Sequence, residues 1–322
     1  MNDWTQKMRE DWDERARLDA ERFIYTRDSE NDIADFGRSG LANYNQLVRP
    51  YLPVLLQGRP ASECDVVEIG CGTGRMTEWF ARDFREVAAL DVSPVMIAAA
   101  RQRLGHMANI HFHVGSGADL ALVADESADL VFSYIVFQHI PSRAVIENYA
   151  REAARVLRTG GMFKFQVNGD QSPEYLAHTR DTWLGETFSV DDVTRMLSES
   201  GLSVVFMEGA GTQYLVVTAS KGAVTLPETT LLEGFGDLVD GSWRPIEIQA
   251  RVHVDGDGKT LYLGLYFWPE SCHHEVTMAE HHFAVDSAGD HYFEGEGRAG
   301  EVNITIVPPP TRAPAFRIMG IY

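Results

Sequence analysis

The sequence predicts an α/β core on a mainly parallel sheet, with helices ahead of it and an all-β domain behind it. Three observations predict this. Between Asp65 and Ser220 short apolar runs alternate with longer stretches of helical periodicity, as a parallel sheet with crossovers requires. A glycine-rich turn follows the first apolar run in V-V-E-I-G-C-G-T-G-R-M-T, Val66 to Thr77. Beyond Lys221 the helical periodicity stops, and short alternating stretches separated by Gly and Asp take over.

Taken in order, the segment before Ser62 reads as helical. D-W-D-E-R-A-R-L-D-A-E-R-F-I-Y-T (Asp11–Thr26) carries Trp12, Leu18, Phe23 and Ile24 on its apolar side. A turn at F-G-R-S-G (Phe36–Gly40) leads to a second helix, Leu41–Leu56. Strands are expected at Val66–Ile69, Val87–Leu90, Ile110–Val114, Leu130–Tyr134, Met162–Val167, Ser203–Met207 and Tyr214–Thr218. Helices fall between them, among them Met76–Phe84 and Ala144–Leu157. In the latter, Ile146, Tyr149, Ala150, Ala153, Val156 and Leu157 share one face, and Gly160-Gly161 supplies the stop. H-I-P-S (His139–Ser142) reads as the start of that helix, with Pro141 in its first turn. Only E-G-A-G-T-Q separates the last two strands, so they form an antiparallel hairpin at the sheet edge.

In the C-terminal part, Trp243–Val254 alternates Ile246, Ile248, Ala250, Val252 and Val254 with polar residues. The turn Asp255–Gly258 then leads into Leu261–Trp268, predicting a β-hairpin. Further strands are expected at Val276–Val285, His291–Phe293, Val302–Val307 and Phe316–Ile321, making a sandwich or small barrel. The domain boundaries are therefore 1–62 for the N-terminal helices, 63–221 for the α/β core and 222–322 for the all-β domain. Folding on its own, with amphipathic strands and the aromatic residues Tyr262, Tyr266 and Trp268, that domain is expected to serve homo-oligomer formation or substrate selection.

Composition narrows the function. A chain of 322 residues, 44% hydrophobic, easily supports folded cores. Its formal net charge of -19 and lack of a basic run argue against nucleic acid and anionic membrane surfaces as partners. Met1–Arg17 is charged and lacks a secretory core, and the apolar run Leu130–Phe137 is too short to span a bilayer. The three cysteines, Cys64, Cys71 and Cys272, lack metal or disulfide spacing, so a reducing cytoplasm is the expected compartment. The run C-H-H-E (Cys272–Glu275) with E-H-H (Glu280–His282) and His291 also matches no metal signature, and no metal is expected.

The glycine turn carries the chemistry. Gly70, Gly72 and Gly74 permit a tight turn and close approach to a ligand, because no Cβ intrudes. The spacing departs from a dinucleotide fingerprint, and a Gly-Lys-Ser/Thr phosphate loop is missing. Glu68, just before the first glycine, would repel a pyrophosphate and suits a cationic, phosphate-free ligand. Asp91 ends the second strand roughly twenty residues beyond the turn, where a ribose is held by its hydroxyls.

Together with N-I-H-F-H-V-G-S-G-A-D-L (Asn109–Leu120), A-D-L-V-F-S-Y-I-V-F-Q-H-I-P (Ala128–Pro141) and E-A-A-R-V-L-R-T-G-G-M-F-K-F-Q-V (Glu152–Val167), these motifs resemble the class I S-adenosylmethionine-dependent methyltransferases, in particular their type 11 small-molecule branch. The resemblance implies a Rossmann-like seven-stranded sheet, S-adenosyl-L-methionine as cofactor, S-adenosyl-L-homocysteine as product, and a small-molecule acceptor methylated on O or N. It implies N-terminal helices acting as a lid or cap. Glu68 and the turn Gly70, Cys71, Gly72 and Gly74 would hold the methionine part, Asp91 the ribose, and Val92 and Met96 the adenine surround. The family usually has an acid after its third strand; here Ser116 stands there, so Ser116, Gly117 and Ala118 are the candidates, joined by Ser133. His139 is the candidate general base, since its ordinary pKa lies near neutrality, with anchoring of its turn as the alternative. Two other readings stay open: a cofactor-binding regulatory or scaffold protein without turnover, and a protein methyltransferase. Against the second stands Y-I-V-F-Q-H-I-P, which lacks the glutamates that would grip a guanidinium.

Overall fold

The computed structural model describes residues 3–24 and 33–224 and, from residue 229 to residue 321, strand segments. Helix α1 (Asp3–Ile24) begins earlier than its charge pattern suggests and is interrupted by extended backbone at Asp19. Helix α2 (Ile33–Leu47) runs straight through Phe36–Gly40, where the sequence predicts a turn. The glycine there serves proximity instead. A Cβ on Gly40 would lie 2.2 Å from the Arg75 carbonyl oxygen, so this helix turn can touch the backbone after the glycine-rich loop only because residue 40 has no side chain. A 3₁₀ turn (Arg49–Tyr51) and the short α3 (Leu52–Leu55) follow, in place of the rest of the expected second helix.

The core is a seven-stranded sheet of β1 (Asp65–Ile69), β2 (Glu86–Asp91), β3 (Ile110–Val114), β4 (Ala128–Ser133), β5 (Leu157–Val167), β6 (Ser203–Glu208) and β7 (Leu215–Ser220). Their order is β3-β2-β1-β4-β5-β7-β6. The first five pair in parallel; β7 runs antiparallel to both β5 and β6, which places the expected hairpin at the edge. The intervening helices are α4 (Thr77–Asp83), α5 (Pro94–Leu104), α6 (Arg143–Val156), α7 (Pro173–Leu176) and α8 (Val190–Glu199).

Alternation along the strands divides the core into two layers. Val131, Phe163 and Phe165 join Ile146, Tyr149, Ala150 and Ala153 of α6 and Val193, Met196 and Leu197 of α8 in one buried cluster. On the opposite face Phe132 of β4 meets Phe80 of α4, ring centroids 5.1 Å apart. Helix α6 stops at Val156 rather than at Gly160-Gly161, because β5 begins at once with Leu157. The glycine pair lies inside the strand, where the register with β4 shifts and Gly160 adopts φ +84. Pro141 likewise precedes α6 instead of opening it: Ser142 is the N-cap and Phe137–His139 forms a separate 3₁₀ turn.

The C-terminal strands are β8 (Thr229–Leu231), β9 (Leu238–Val239), β10 (Ser242–Trp243), β11 (Ile248–Val254), β12 (Lys259–Phe267), β13 (His274–Met278), β14 (His281–Val285), β15 (Gly289–Gly297), β16 (Gly300–Val307) and β17 (Phe316–Ile321). They form two five-stranded sheets, β15-β12-β17-β10-β9 and β14-β13-β16-β11-β8. The hairpin expected across Asp255–Gly258 is not made: β11 and β12 belong to different sheets, and the turn itself lies outside the described residues. The apolar row of β11 is matched across β16 instead, Ile248 opposite Ile306, Ala250 opposite Ile304 and Val252 opposite Val302. The single strand expected at Val276–Val285 is two, β13 and β14, paired antiparallel. His291 sits in the sheet that lacks His274, Glu275, His281 and His282, while Cys272 and His273 lie outside the described residues. Among the described residues no group of three or more His, Cys, Asp or Glu is placed to hold a metal, and no helix is long and apolar enough to cross a membrane.

Two compact units emerge: residues 1–41 with 55–224, and residues 42–54 with 225–322. The segment before residue 62 is thus shared between them. Within the first unit, buried Asp129 ties the base of the sheet. It accepts from Arg59 Nη2 (2.8 Å), Arg158 Nη1 (2.7 Å) and the Asp65 backbone N–H (2.8 Å). Asp129→Ala would leave the Asp65 backbone donor without its acceptor, while Arg59 and Arg158 reach water and Arg158 keeps Asp65, so chemical denaturation should show a loss of about 1–2 kcal/mol; no measurable loss would mean that the backbone donor also finds water freely.

Candidate functional site

The chain order reverses between β1 and β4, and in open α/β sheets the crevice at the carboxyl ends there receives ligands. The local structure at that point is dictated by glycine. Gly70, Gly72 and Gly74 adopt φ of +73, +54 and +87, a region open to glycine at little cost. Gly70 N–H and Cys71 N–H both donate to the Leu90 carbonyl, at 2.7 and 3.0 Å, so the turn is pinned to the end of β2. Gly72 N–H donates to Asp91 Oδ2 at 2.9 Å, and Ser93 N–H to Asp91 Oδ1 at 2.8 Å. The acid that closes β2 therefore also shapes the turn after β1.

Glu68, penultimate in β1, is buried and accepts a hydrogen bond from Thr77 Oγ1, the first residue of α4. Burial pushes its pKa up to about 7, against the hydrogen bond of Thr77 and the charge of Arg75, which lower it. Asp91 keeps part of its surface open to the cavity, yet its enclosure raises its pKa to about 6, opposed by the Ser93 and Gly72 N–H groups. Two adjacent strand ends thus present carboxyl groups that lack a full set of counter-charges. A cation placed between them would stabilise their ionised forms.

Both face one cavity. Glu68, Gly70, Cys71, Gly72, Asp91, Val92, Met96, Gly117 and His139, all expected from sequence, line it. Gly74, Ser116, Ala118 and Ser133 do not. Gly74 is set against Leu104, and Ser133 Oγ donates to the Ile69 carbonyl. Ser116 Oγ accepts from Ala118 N–H and Asp119 N–H, both at 3.1 Å, and so caps its own turn. Asp119 lines the cavity in that loop. Across from it, a Cβ on Gly117 would come within 2.8 Å of Val92 Cγ2, so the two segments approach closely only because residue 117 is glycine.

Sequence reasoning missed two contributions and gave another, the first helix, only as an expected lid or cap with an apolar side. Arg75, directly after the third glycine, is a buried cation in the lining; its position in the motif was the available signal. Helix α1 supplies Met8, Trp12, Phe23 and Ile24. It is held in place by Arg9 Nη2 to the Gly115 carbonyl (3.0 Å), by Asp13, which accepts from Ser93 Oγ and from Val95 N–H at the start of α5, and by Arg15, which donates to Thr182 O and Oγ1. The third contribution is backbone strain. Ile135, in the lining after β4, has φ +55, which for a β-branched residue costs about 1–3 kcal/mol. The neighbouring Val136 is set against the glycine turn, so that a Cβ on Gly70 would lie 2.3 Å from Val136 Cγ2.

His139 closes the 3₁₀ turn after β4. Its Nδ1 donates to the Trp183 carbonyl (2.7 Å), and Gln138 Nε2 lies 3.3 Å from Nε2. The imidazole sits between the rings of Trp12 and Trp183, centroids 5.4 and 5.1 Å away. Burial lowers its pKa to about 4; the Trp183 carbonyl and Asp181 raise it and Arg15 lowers it. At neutral pH the ring is uncharged.

Residues 67–165 match the family model described as a methyltransferase domain. A probable S-adenosylmethionine-dependent methyltransferase of Mycobacterium tuberculosis is 30% identical over 152 residues, 45% of this chain and 51% of that protein. A malonyl-[acyl-carrier protein] O-methyltransferase of Enterobacter lignolyticus is 30% identical over 151 residues, 46% of this chain and 57% of that protein. The chain spans about half the length of the curated relatives it matches. Magnesium protoporphyrin IX methyltransferase of Synechocystis PCC 6803, solved with bound S-adenosylhomocysteine, shares the fold at TM-score 0.51 and 19% identity, over 68% of this chain and all of that one.

The glycine geometry can be tested by contrast. Gly70→Ala meets both a left-handed backbone and the Val136 side chain, whereas Gly160→Ala meets the backbone conformation alone, with nothing within 4 Å. The first should cost about 2–4 kcal/mol and the second about 1 kcal/mol by denaturant unfolding. Equal losses would mean that Val136 yields freely and the crevice is not tightly set.

Proposed function

We propose that this chain, which through residues 67–165 belongs to the class I S-adenosylmethionine-dependent methyltransferases, transfers a methyl group in-line to an oxygen or nitrogen of a small-molecule acceptor. The observation that carries the reading is the pair Glu68 and Asp91, with raised pKa values, at adjacent strand ends around a left-handed glycine turn in one cavity.

The residues present fit the cofactor. The backbone of Gly70, Cys71 and Gly72 lines the cavity, and the buried carboxyl groups beside it lack a full set of counter-charges. In this reading Glu68 takes the ammonium of the methionine moiety and Arg75 its carboxylate. Asp91 takes the ribose hydroxyls; Val92, Met96 and Gly117 flank the adenine, and Asp119 replaces the acid that Ser116 lacks. When bound, the sulfonium supplies an already activated methyl group, so the protein's task is alignment and exclusion of water. Trp12, Phe23 and Ile24 of α1 close the cavity against water, and Tyr134, Ile135 and Val136 form the wall beyond β4. His139, neutral and of low basicity, is better suited to accept a hydrogen bond that orients the acceptor than to hold a proton.

The C-terminal strands are read as an all-β accessory domain serving association or substrate selection, supported by their arrangement in two five-stranded sheets. Light scattering of the full chain tests the first role; a monomer at all concentrations leaves selection as the remaining one.

Isothermal titration with S-adenosylhomocysteine should show binding, and Glu68→Ala or Asp91→Ala should weaken it ten- to a hundredfold, the loss of one charge-assisted contact. A folded protein that gives no heat refutes the reading. Affinity should also depend on pH in a fixed sense. Both carboxyl groups have pKa values above their ordinary ones in the free protein, about 7 and about 6, so protons compete with a cationic ligand as pH falls through that window. Binding should therefore weaken by about tenfold from pH 8 to pH 6; a flat profile would place the ligand's ammonium elsewhere. Tritiated cofactor offered with hydroxyl and amine acceptors then tests transfer itself.

A further inference from the structure

Gln166 lies on β5, fully buried, on the face of the strand away from Phe165 and Val167. Its carboxamide is used on both sides. Oε1 accepts from Ile135 N–H at 3.1 Å, while Nε2 donates to Gln138 Oε1 at 3.0 Å and to the Gln213 carbonyl at 2.6 Å. The amide orientation is forced, since a backbone N–H needs an oxygen opposite and a backbone carbonyl needs a nitrogen. The same logic passes to Gln138. Its oxygen faces Gln166, so its nitrogen must face His139 Nε2. That makes Nε2 an acceptor and leaves the ring proton on Nδ1, where the Trp183 carbonyl receives it. The Trp183 carbonyl alone requires that proton, and the glutamine pair agrees with it by presenting an N–H to Nε2.

The second arm of Gln166 reaches the strained residue. Ile135 holds φ +55, and the N–H that Gln166 receives is its own. One residue on, Val136 is set against Gly70. The conformation of Ile135 therefore decides where the wall beyond β4 stands relative to the glycine turn.

We infer that Gln166 is a positioning residue for the proposed methyl transfer, fixing at once the left-handed backbone of Ile135 that sets Val136 on the glycine turn and, through Gln138, the N–H donor that His139 Nε2 receives. The inference rests on the methyl-transfer reading for its purpose, but not for its geometry. An ordinary buried glutamine would merely satisfy loop backbone groups, and its removal would lower stability and nothing else.

The test reads ligand affinity and imidazole nitrogen signals together. In the wild-type chain, long-range ¹H–¹⁵N spectra should show His139 as a single Nδ1–H tautomer at pH 7. Gln166→Met keeps the bulk and removes every hydrogen bond. It should lower S-adenosylhomocysteine affinity about tenfold and shift the His139 Nε2 signal as Gln138 is released, with Nδ1–H kept by the Trp183 carbonyl and the fold checked by circular dichroism. Gln138→Glu is the milder companion, at a half-buried position. Its carboxylate still accepts from Gln166 but replaces the donor to Nε2 with an acceptor, which favours the imidazolium, so His139 should titrate at least one pH unit higher. Arg15 and Asp181, the charges that act on this ring, are the same in both proteins and cancel in the difference.

Unchanged affinity and an unchanged His139 Nε2 signal in a folded Gln166→Met variant would overturn the inference. So would a His139 that titrates in Gln138→Glu as it does in the wild-type chain, and this arm decides the matter if Gln166→Met does not fold. A wild-type chain that fails to bind S-adenosylhomocysteine would instead sink the methyl-transfer reading, and the imidazole result would stand or fall separately.

Discussion

Enclosing two carboxyl groups at neighbouring strand ends is the constraint around which the first unit is arranged. Burial penalises their charged forms, and each neighbouring feature answers part of that cost. Thr77 opens α4 with its hydroxyl on Glu68, and the glycine turn directs the Gly72 N–H at Asp91. Ser93 caps α5 and at the same time gives its N–H to Asp91. These partners are dipoles, with Arg75 and Arg103 as the cations acting on Glu68, and they leave both groups with raised pKa values. The remaining demand is for positive charge from a ligand. A sheet of any sequence can bury apolar strands, but this one ends two of them on an electrostatic deficit.

The walls of the cavity differ in how firmly they are held. The β1 and β2 ends are fixed by backbone hydrogen bonds to Leu90. The wall after β4 is held against its own preference, with the strain at Ile135 balanced by hydrogen bonds from the sheet interior. The α1 wall is held by side chains alone: Arg9 on Gly115, Arg15 on Thr182, and Asp13 at the start of α5. Thr182 Oγ1 donates in turn to Asp11 Oδ2, so the helix grips one short turn twice. Among the described residues, the α1 side thus has no backbone ladder to the sheet in its hold.

Much of the sheet was legible because its signals are local. Val66, Val67 and Ile69 before a triple glycine, an acid two positions ahead of that turn and another at the next strand end are all short-range patterns, and the edge hairpin followed from its short connection. What escaped depended on partners distant in the chain. Gly40 looks like a turn residue, but its function is to let α2 touch the Arg75 backbone. Gly160-Gly161 looks like a helix stop but lies within β5, where the register with β4 shifts. The turn Asp255–Gly258 suggested a hairpin, yet β11 found a better apolar match in β16. In the candidate site, the charged groups were readable from motif position. The first helix was expected as a lid from the resemblance alone; the capping task of Ser116 and the strained Ile135 were not read at all, since no periodicity encodes them.

Trp12 lines the cavity, its ring edge-on to His139 and tilted against Trp183, with the Arg15 guanidinium 4.8 Å from its centroid. Indole emission responds to the polarity and the charge around the ring, so the cavity carries a chromophore of its own. A ligand filling the cavity would change the surroundings of that indole, so titration should alter the intrinsic fluorescence without a label and before any acceptor is known.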